Sequence, residues 1–321
     1  MFPPKDRLKI CFAHAAYRMA ERFQLRNTGI DHLEVRTAED IARHLPEADV
    51  LVVSMMWKNE LLGTARRLSF IQSISAGTDQ YDKQLLRERG VRVASAAGVN
   101  AEAVAEHAMA LILALARRLP EARDNQHARH WRGMIGDLGA REDQLTGKTL
   151  LVVGMGRIGV RLARLAEAFE MRVIATKRDP ATAAAGADAV YGTERLRELL
   201  GEADIVALTC PLTPETQNLI DAAALAAMKP TAHLVNVARG RVVDEPALIK
   251  AITEKRLAAA ALDVTVEEPL PASSPLWSMP NVLITPHTAG ETRAYEDGVI
   301  DLLLENLERL WRGAPLVNEV V

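Results

Sequence analysis

The 321-residue sequence holds only two cysteines, Cys11 and Cys210, a scarcity that excludes a disulfide-built scaffold. They stand far apart in separate apolar, strand-like contexts, which suits a reducing compartment, and the cytoplasm is the expected location. No apolar run is long enough for a membrane, since the longest, 108–116, falls well short of a bilayer span. The N-terminus interleaves Lys5, Arg7 and Lys9 with its few apolar residues, so no signal-peptide core is expected there. Neither sign of charge dominates: 39 Lys and Arg face 42 Asp and Glu, and no electrostatic footprint marks nucleic acid or an anionic membrane as a partner. Repeats are lacking, and the one compositional bias is an alanine-rich patch at 181–187. No metal is expected either, because His127 and His130 lie one helical turn apart without a third ligand, and a plain polar loop accounts for both.

What is present is organised around 149–159, TLLVVGMGRIG. A β-branched run stops at Gly154, and Gly156 and Gly159 follow before a helix-like segment at 160–169 and a second strand at 171–176. This is the order of a phosphate-binding βα turn. Gly154 permits the turn, Gly156 leaves room for a pyrophosphate, and Gly159 lets helix and strand pack closely. The amides of the first helical turn, including Met155, Arg157 and Ile158 in the same stretch, then face the anion. A chain of this length exceeds the size at which single cores stop growing, so two domains are expected.

From 8 to 98 the chain alternates short apolar runs with helical patterns: strands at 8–13, 50–54, 71–74 and 91–94, helices at 17–24, 38–44, 60–67 and 82–89. The reading is a small parallel α/β domain. A helix at 101–119 is apolar on most of its circumference and belongs between layers or domains. Residues 127–144 read as a polar connecting loop with Trp131 as its anchor. Further strands are expected at 172–176, 205–208, 234–237, 259–263 and 282–285, and an amphipathic helix closes the chain at 291–312. Such a series makes a doubly wound sheet, whose ligands sit at the carboxyl ends of its strands.

Three of those ends carry chemistry. Arg239 follows the strand ending at Val237, Glu268 follows the one ending at Asp263, and His287 follows Thr285 and Pro286. An arginine, a carboxylate and a histidine over a nicotinamide site suit the reversible reduction of a 2-oxo acid. The guanidinium forks onto carboxylate and carbonyl oxygens. The imidazole gives or takes the hydroxyl proton, and the carboxylate fixes its tautomer. Taken singly, each has a plainer reading: a solvated loop histidine, an acidic loop containing Glu267 and Glu268, a surface arginine. His107, in AVAEHAM on the apolar helix, reads as a satisfied core histidine. Cys210 reads as a packing thiol. Met55, Met56 and Trp57 either line the substrate cleft or pack in the core, and Trp131 and Trp277 are further candidates for a pocket wall.

Together, GMGRIG, PLTPET (211–216), VNVARG, ALDVTVEEPLP, ITPHTAG and the upstream SISAGTDQYD (73–82) resemble the D-isomer-specific 2-hydroxyacid dehydrogenases over about 71–290. The resemblance implies an α/β fold of two Rossmann-like domains. A doubly wound cofactor domain, 100–288, is inserted into a smaller flavodoxin-like substrate domain, 1–99 with 289–321, and the active site lies in the cleft between them. It implies a catalytic triad of Arg239, Glu268 and His287, a substrate-carboxylate loop at Ala76 and Gly77, and a substrate contact at Asn100. It also implies cofactor contacts at Cys210, Pro211, Thr216, Val237, Ala238 and Asp263, and a homodimer formed through 101–119 and the loop after it. Glu268, where the related formate dehydrogenases carry Gln, favours 2-oxo acid reduction.

The sequence departs from the family's NAD-binding members where an Asp holds the ribose hydroxyls: Lys177 stands there, with Arg178 next. Two cations suit a 2′-phosphate, so NADP(H) is preferred, while Asp179 keeps NAD(H) possible. The expectation is an NADPH-preferring reductase of glyoxylate or hydroxypyruvate. The alternatives are a phosphoglycerate or phosphite dehydrogenase of the same family, for which only Lys58 offers an extra cation near SMMWKNE, or a nonenzymatic NADP(H)-sensing protein.

Overall fold

Strands β1 (Lys9–Ala13), β2 (Asp31–Val35), β3 (Val50–Val53), β4 (Phe70–Ser73) and β5 (Arg92–Ala94) pair in parallel in the order β2-β1-β3-β4-β5, the flavodoxin-like arrangement. The computed structural model describes residues 2–181 and 185–321, so 182–184 of the alanine-rich patch lie outside the described residues. Successive side chains on a strand point to opposite faces, and both faces here are covered. On one, Ile10, Phe12, Val50 and Val52 pack with Val299, Ile300, Leu303 and Leu307 of the helix Tyr295–Arg312. On the other, Cys11, Ala13, Leu51 and Val53 pack with Ile41, Trp57 and Leu86.

The C-terminal residues close one edge of this sheet. Val320 N–H donates to Val93 O at 2.7 Å, Val93 N–H to Val321 O at 3.1 Å and Ser95 N–H to Asn318 O at 3.0 Å, with an antiparallel bridge between Ala94 and Glu319.

Among the described residues a second sheet has seven strands: β6 (Thr149–Val153), β7 (Arg172–Thr176), β8 (Ala189–Tyr191), β9 (Ile205–Leu208), β10 (His233–Asn236), β11 (Ala259–Leu262) and β12 (Val282–Ile284). Their order is β12-β11-β10-β9-β6-β7-β8, all parallel. Counted from β6, this is the dinucleotide-binding order with one further strand. Leu151, Val153, Val206, Leu208, Leu234 and Leu262 face one core, and Leu150, Val152, Ile205, Ala207, Val235 and Ala261 face the other. Strand order reverses between β6 and β9, so the switch point falls where both strands end, at Gly154 and Cys210.

The chain divides into two compact units, one of 1–100 with 291–321 and one of 101–290. Each unit holds one sheet. The apolar helix runs Ala101–Ala116 against the helix Arg157–Glu167 and strands β10 and β11.

Several elements differ from expectation. β2 was not foreseen, because DHLEV is a half-exposed edge strand with charged outward residues. Neither was the three-residue β8. The pattern at 60–67 winds only into a 3-10 turn, Asn59–Gly63. The helix expected to reach Leu119 ends at Ala116, Arg118 turns left-handed at φ 49°, and a second helix, Leu119–His127, fills the stretch up to the start of the region read as loop. Beyond it Trp131 is 98% exposed and anchors nothing among the described residues. Trp57 is a core residue tilted against Tyr81, while Met55 is exposed. Trp277 is exposed and donates Nε1–H to Pro271 O at 3.0 Å.

Candidate active site

The glycine turn is built where β6 meets its helix. Gly154 sits at φ +102°, and a Cβ there would come within 2.7 Å of the Cys210 backbone, so the close approach of the ends of β6 and β9 needs glycine. A Cβ on Gly159 would stand 2.5 Å from Gly154 O, which fixes the helix tightly on the turn. Gly156 differs: among the described residues no atom beyond its own chain neighbours lies within 4 Å of the position its Cβ would take, and it caps the helix Arg157–Glu167 without any side-chain bond. The first-turn amides of that helix, at Arg157, Ile158 and Gly159, therefore form a cradle that fits a pyrophosphate. Met155 does not share in it. Its side chain is buried and its amide donates to Thr176 O at 3.1 Å.

Two amides, of Gly154 and Met155, tie the turn to Thr176 at the end of β7. Lys177 and Arg178 follow immediately, and Asp179 turns its carboxylate back onto the Ala181 amide at 3.2 Å. The Thr213 hydroxyl, then the Glu215 amide and the charge of Arg178, outweigh a small desolvation and hold the Glu215 carboxyl below its ordinary range. Cys210 is buried, and burial pushes its thiol up to about 11, which makes it a packing group. Thr216 closes the loop that starts at Pro211: its hydroxyl donates to Pro211 O and accepts the Thr213 amide, both at 2.7 Å.

At the end of β10, Val237 and Ala238 are buried. Asn236 folds the turn by accepting Ala238 N–H and donating to Arg239 O, each at 3.0 Å. Arg239 donates to Ala238 O at 2.7 Å. Gly240 is pressed so closely on the Thr265 carbonyl that any Cβ would overlap it, which joins the arginine turn to the loop of Glu268. Sequence reasoning gave Asn236 and Gly240 no role, and only the RG pair beside a strand end could have signalled it.

After β11 the Thr265 amide donates to Glu268 Oε1 at 3.0 Å, and Glu268 Oε2 lies 2.7 Å from His287 Nδ1. Burial raises the Glu268 carboxyl, but the hydrogen bond and charge of His287, the Thr265 amide and the Arg239 guanidinium outweigh it and hold the carboxyl below its ordinary range. An ionised carboxylate only accepts, so His287 Nδ1 carries hydrogen and Nε2 is the nitrogen left to exchange a proton. His287 holds φ +55°, a conformation rare for a side-chain-bearing residue. Its amide is divided between Asp263 O at 2.8 Å and Thr285 O at 3.0 Å. Asp263 itself is buried and accepts the Thr285 hydroxyl at 2.6 Å and the amides of Thr288 and Ala289 at 3.0 and 3.1 Å. Arg239, Glu268, His287, Asp263 and the glycine turn thus share the unit of 101–290.

The remaining expected residues fall in the other unit. Ala76 is exposed and Gly77 half-buried, in a loop braced by serines. Ser75 Oγ–H donates to Gly77 O at 2.8 Å, Ser54 Oγ–H donates to Ser75 Oγ at 2.8 Å, and Ser73 Oγ lies 3.2 Å from the same atom. The Tyr295 hydroxyl donates to Ile74 O. Asn100 is half-buried directly before the helix Ala101–Ala116.

A doubly wound sheet with this glycine turn, and an acid–imidazole pair at its strand ends, defines an NAD(P)-dependent oxidoreductase acting on CH–OH donors. Residues 109–289 match the family model for the NAD binding domain of D-isomer specific 2-hydroxyacid dehydrogenases. The chain is 40% identical over 270 residues to a glyoxylate reductase of Aeropyrum pernix, covering 81% of this chain and 78% of that one. It is 34% identical over 305 residues to a D-3-phosphoglycerate dehydrogenase of Archaeoglobus fulgidus, covering 92% of this chain but 56% of that longer relative. A crystal structure of an NADPH-dependent glyoxylate/hydroxypyruvate reductase from Sinorhizobium meliloti, in complex with NADP and malonate, superposes with a TM-score of 0.83 at 26% identity, covering 98% of this chain and 97% of that one. The chain belongs to the D-isomer specific 2-hydroxyacid dehydrogenases. Among the described residues no helix is long and apolar enough to cross a membrane.

Proposed function

We propose that the protein reduces a small 2-oxo acid, glyoxylate or hydroxypyruvate, with NADPH preferred over NADH, and that His287 is its proton donor. The observation that carries the reading is the His287–Glu268 pair at 2.7 Å, with Arg239 close enough to help lower the same carboxyl. The nicotinamide, when bound, supplies hydride to the substrate carbon. Arg239 forks onto the substrate's carboxylate and carbonyl oxygens and polarises the carbonyl. His287 delivers its Nε2 proton to the oxygen as negative charge develops there, and in the reverse direction the neutral ring takes the proton back. Glu268 steadies the imidazolium and keeps the ring oriented. The amides of Ala76 and Gly77 and the side chain of Asn100 are proposed substrate contacts. The fit of the cofactor rests on the open Gly156 cradle at a helix N-terminus.

The cofactor preference is supported by Lys177 and Arg178, which occupy the end of β7 where a ribose-binding acid would repel a 2′-phosphate. The likeness to an NADPH-dependent reductase agrees with it. A homodimer and a cytoplasmic location belong to the same proposal. The dimer is supported by Trp131, Met134 and Leu138, large apolar side chains left exposed after the helix Leu119–His127.

Phosphoglycerate oxidation is the second reading, favoured by the Archaeoglobus relative. It needs cations for a phosphate, and near the end of β3 only the exposed Lys58 offers one. Initial rates with glyoxylate, hydroxypyruvate and 3-phosphohydroxypyruvate, each with NADPH and NADH, test the proposal. The expected result is fastest turnover of glyoxylate or hydroxypyruvate with NADPH. A higher kcat/KM for the phosphorylated acid, or for NADH, overturns the corresponding half.

A further inference from the structure

His107, read from its apolar helix as a satisfied core histidine, finds its partner at the carboxyl end of β12. From the helix Ala101–Ala116 its Nε2 reaches Thr285 Oγ1 at 2.9 Å and stands 3.5 Å from Asp263 Oδ1. Thr285 has one hydroxyl hydrogen, and it goes to Asp263 Oδ1 at 2.6 Å. The threonine oxygen is then an acceptor toward His107, so Nε2 carries hydrogen and the direction of the whole chain is fixed: His107 N–H to Thr285, Thr285 O–H to Asp263.

Asp263 is the point on which the turn carrying His287 is assembled. Its side chain takes the amides of Thr288 and Ala289, and its carbonyl takes the amide of His287. Those bonds hold His287 in its left-handed conformation, and from it Nδ1 meets Glu268. A side chain 2% exposed must have its oxygens satisfied within the protein, and the His107–Thr285 arm supplies one of the two hydrogen bonds that Oδ1 accepts, the Thr288 amide the other.

We propose that His107 is a positioning residue for the proton donor. Through Thr285 it orients the Asp263 carboxylate, which sets the 285–289 turn and keeps His287 on Glu268. The inference rests on the reading of His287 as the acid–base group. Residues far from the reacting atoms can act this strongly because small misplacements of a catalytic group cost large factors in rate.

The test uses the full-length protein with glyoxylate and NADPH, and compares His107→Leu, His107→Gln, Thr285→Val, the His107→Leu/Thr285→Val pair and His287→Ala. Steady-state rates, NADPH binding by fluorescence and thermal unfolding are read for each. His107→Leu is expected to lower kcat about tenfold while leaving the NADPH Kd within about twofold. His107→Gln, whose amide puts an N–H close to the place of Nε2, is expected to recover most of that loss. The double variant is expected to be no worse than Thr285→Val alone, because both changes cut one chain. Unchanged kcat in His107→Leu overturns the inference, as does a His107→Gln enzyme equally impaired in rate and in unfolding temperature. Should His107→Leu fail to fold, an unchanged kcat in Thr285→Val overturns it. If His287→Ala stays active, the underlying reading falls. If His287→Ala is inactive while His107→Leu keeps the unsubstituted kcat, only this inference does.

Discussion

The carboxyl ends of the seven-stranded sheet carry ionisable side chains, Arg239, Asp263, Glu268 and His287, whereas the matching ends of the five-stranded sheet carry the hydroxyls of Ser54, Ser73 and Ser75 beneath an exposed loop. The two sheets share their parallel pairing and their double covering, so the difference lies in the roles proposed for them, proton transfer at the first and substrate holding at the second. Moving a proton requires groups whose charge depends on neighbours, and these are fixed by a buried carboxylate and a left-handed backbone. Holding a carboxylate requires only amides in a firm loop, for which short hydroxyl bonds suffice. Side-chain replacement is therefore expected to be far more damaging at the first set of ends than at the second.

The sharpest way to break this contrast is His287→Ala. Turnover is expected to fall about 100-fold or more with NADPH binding nearly intact, measured by steady-state kinetics and fluorescence titration. Retained turnover would remove the proton donor from the seven-stranded sheet. Within the same sheet, replacing Lys177 and Arg178 by Ser is expected to raise the NADPH KM about tenfold, the loss of a charge-assisted contact, while the NADH KM barely moves. Equal loss for both cofactors would show that the two cations do not read the 2′-phosphate.

On the other sheet, Ser75→Ala removes the neutral hydroxyl that donates to Gly77 O and accepts from Ser54 Oγ, and is expected to raise the 2-oxo acid KM by about threefold without lowering kcat. A drop in kcat as large as that of His287→Ala would erase the difference between the two regions. The smallest effect concerns acid stability. The Glu268 carboxyl is held below its ordinary range in the folded protein, so its ionised form favours folding above the unfolded value of about 4.3, and this is lost as pH falls through the lowered folded value. Glu268→Gln is expected to flatten the decline of unfolding temperature between about pH 5 and 3, followed by thermal scans.

The two regions were also unequally legible. VLVV and TLLVV are continuous apolar runs, and buried parallel strands leave that trace plainly. DHLEV at the sheet edge and AVY at the far end of the other sheet leave none, because half-exposed edge strands tolerate charge and brevity. Arg239, Glu268 and His287 could be found because their residue types announce their chemistry and each follows a strand. Gly240 and Asn236 left only the RG pair beside a strand end as a trace, since the role of Gly240 lies in its contact with the distant Thr265 and that of Asn236 in folding the turn onto Ala238 and Arg239. His107 was legible only in part: its apolar neighbours argue for a satisfied histidine, and only the fold shows that Thr285 is what satisfies it. Met155 lay inside the glycine motif, yet its amide serves β7.

The antiparallel cover that Asn318 to Val321 lay along β5 occupies backbone groups which would otherwise be open to strands of other molecules. Trimming those residues would leave the proposed chemistry untouched in a dilute sample and make the protein prone to sticking to itself as concentration rises. Colloidal behaviour, measured by light scattering across a dilution series, would register that loss before any assay of turnover did.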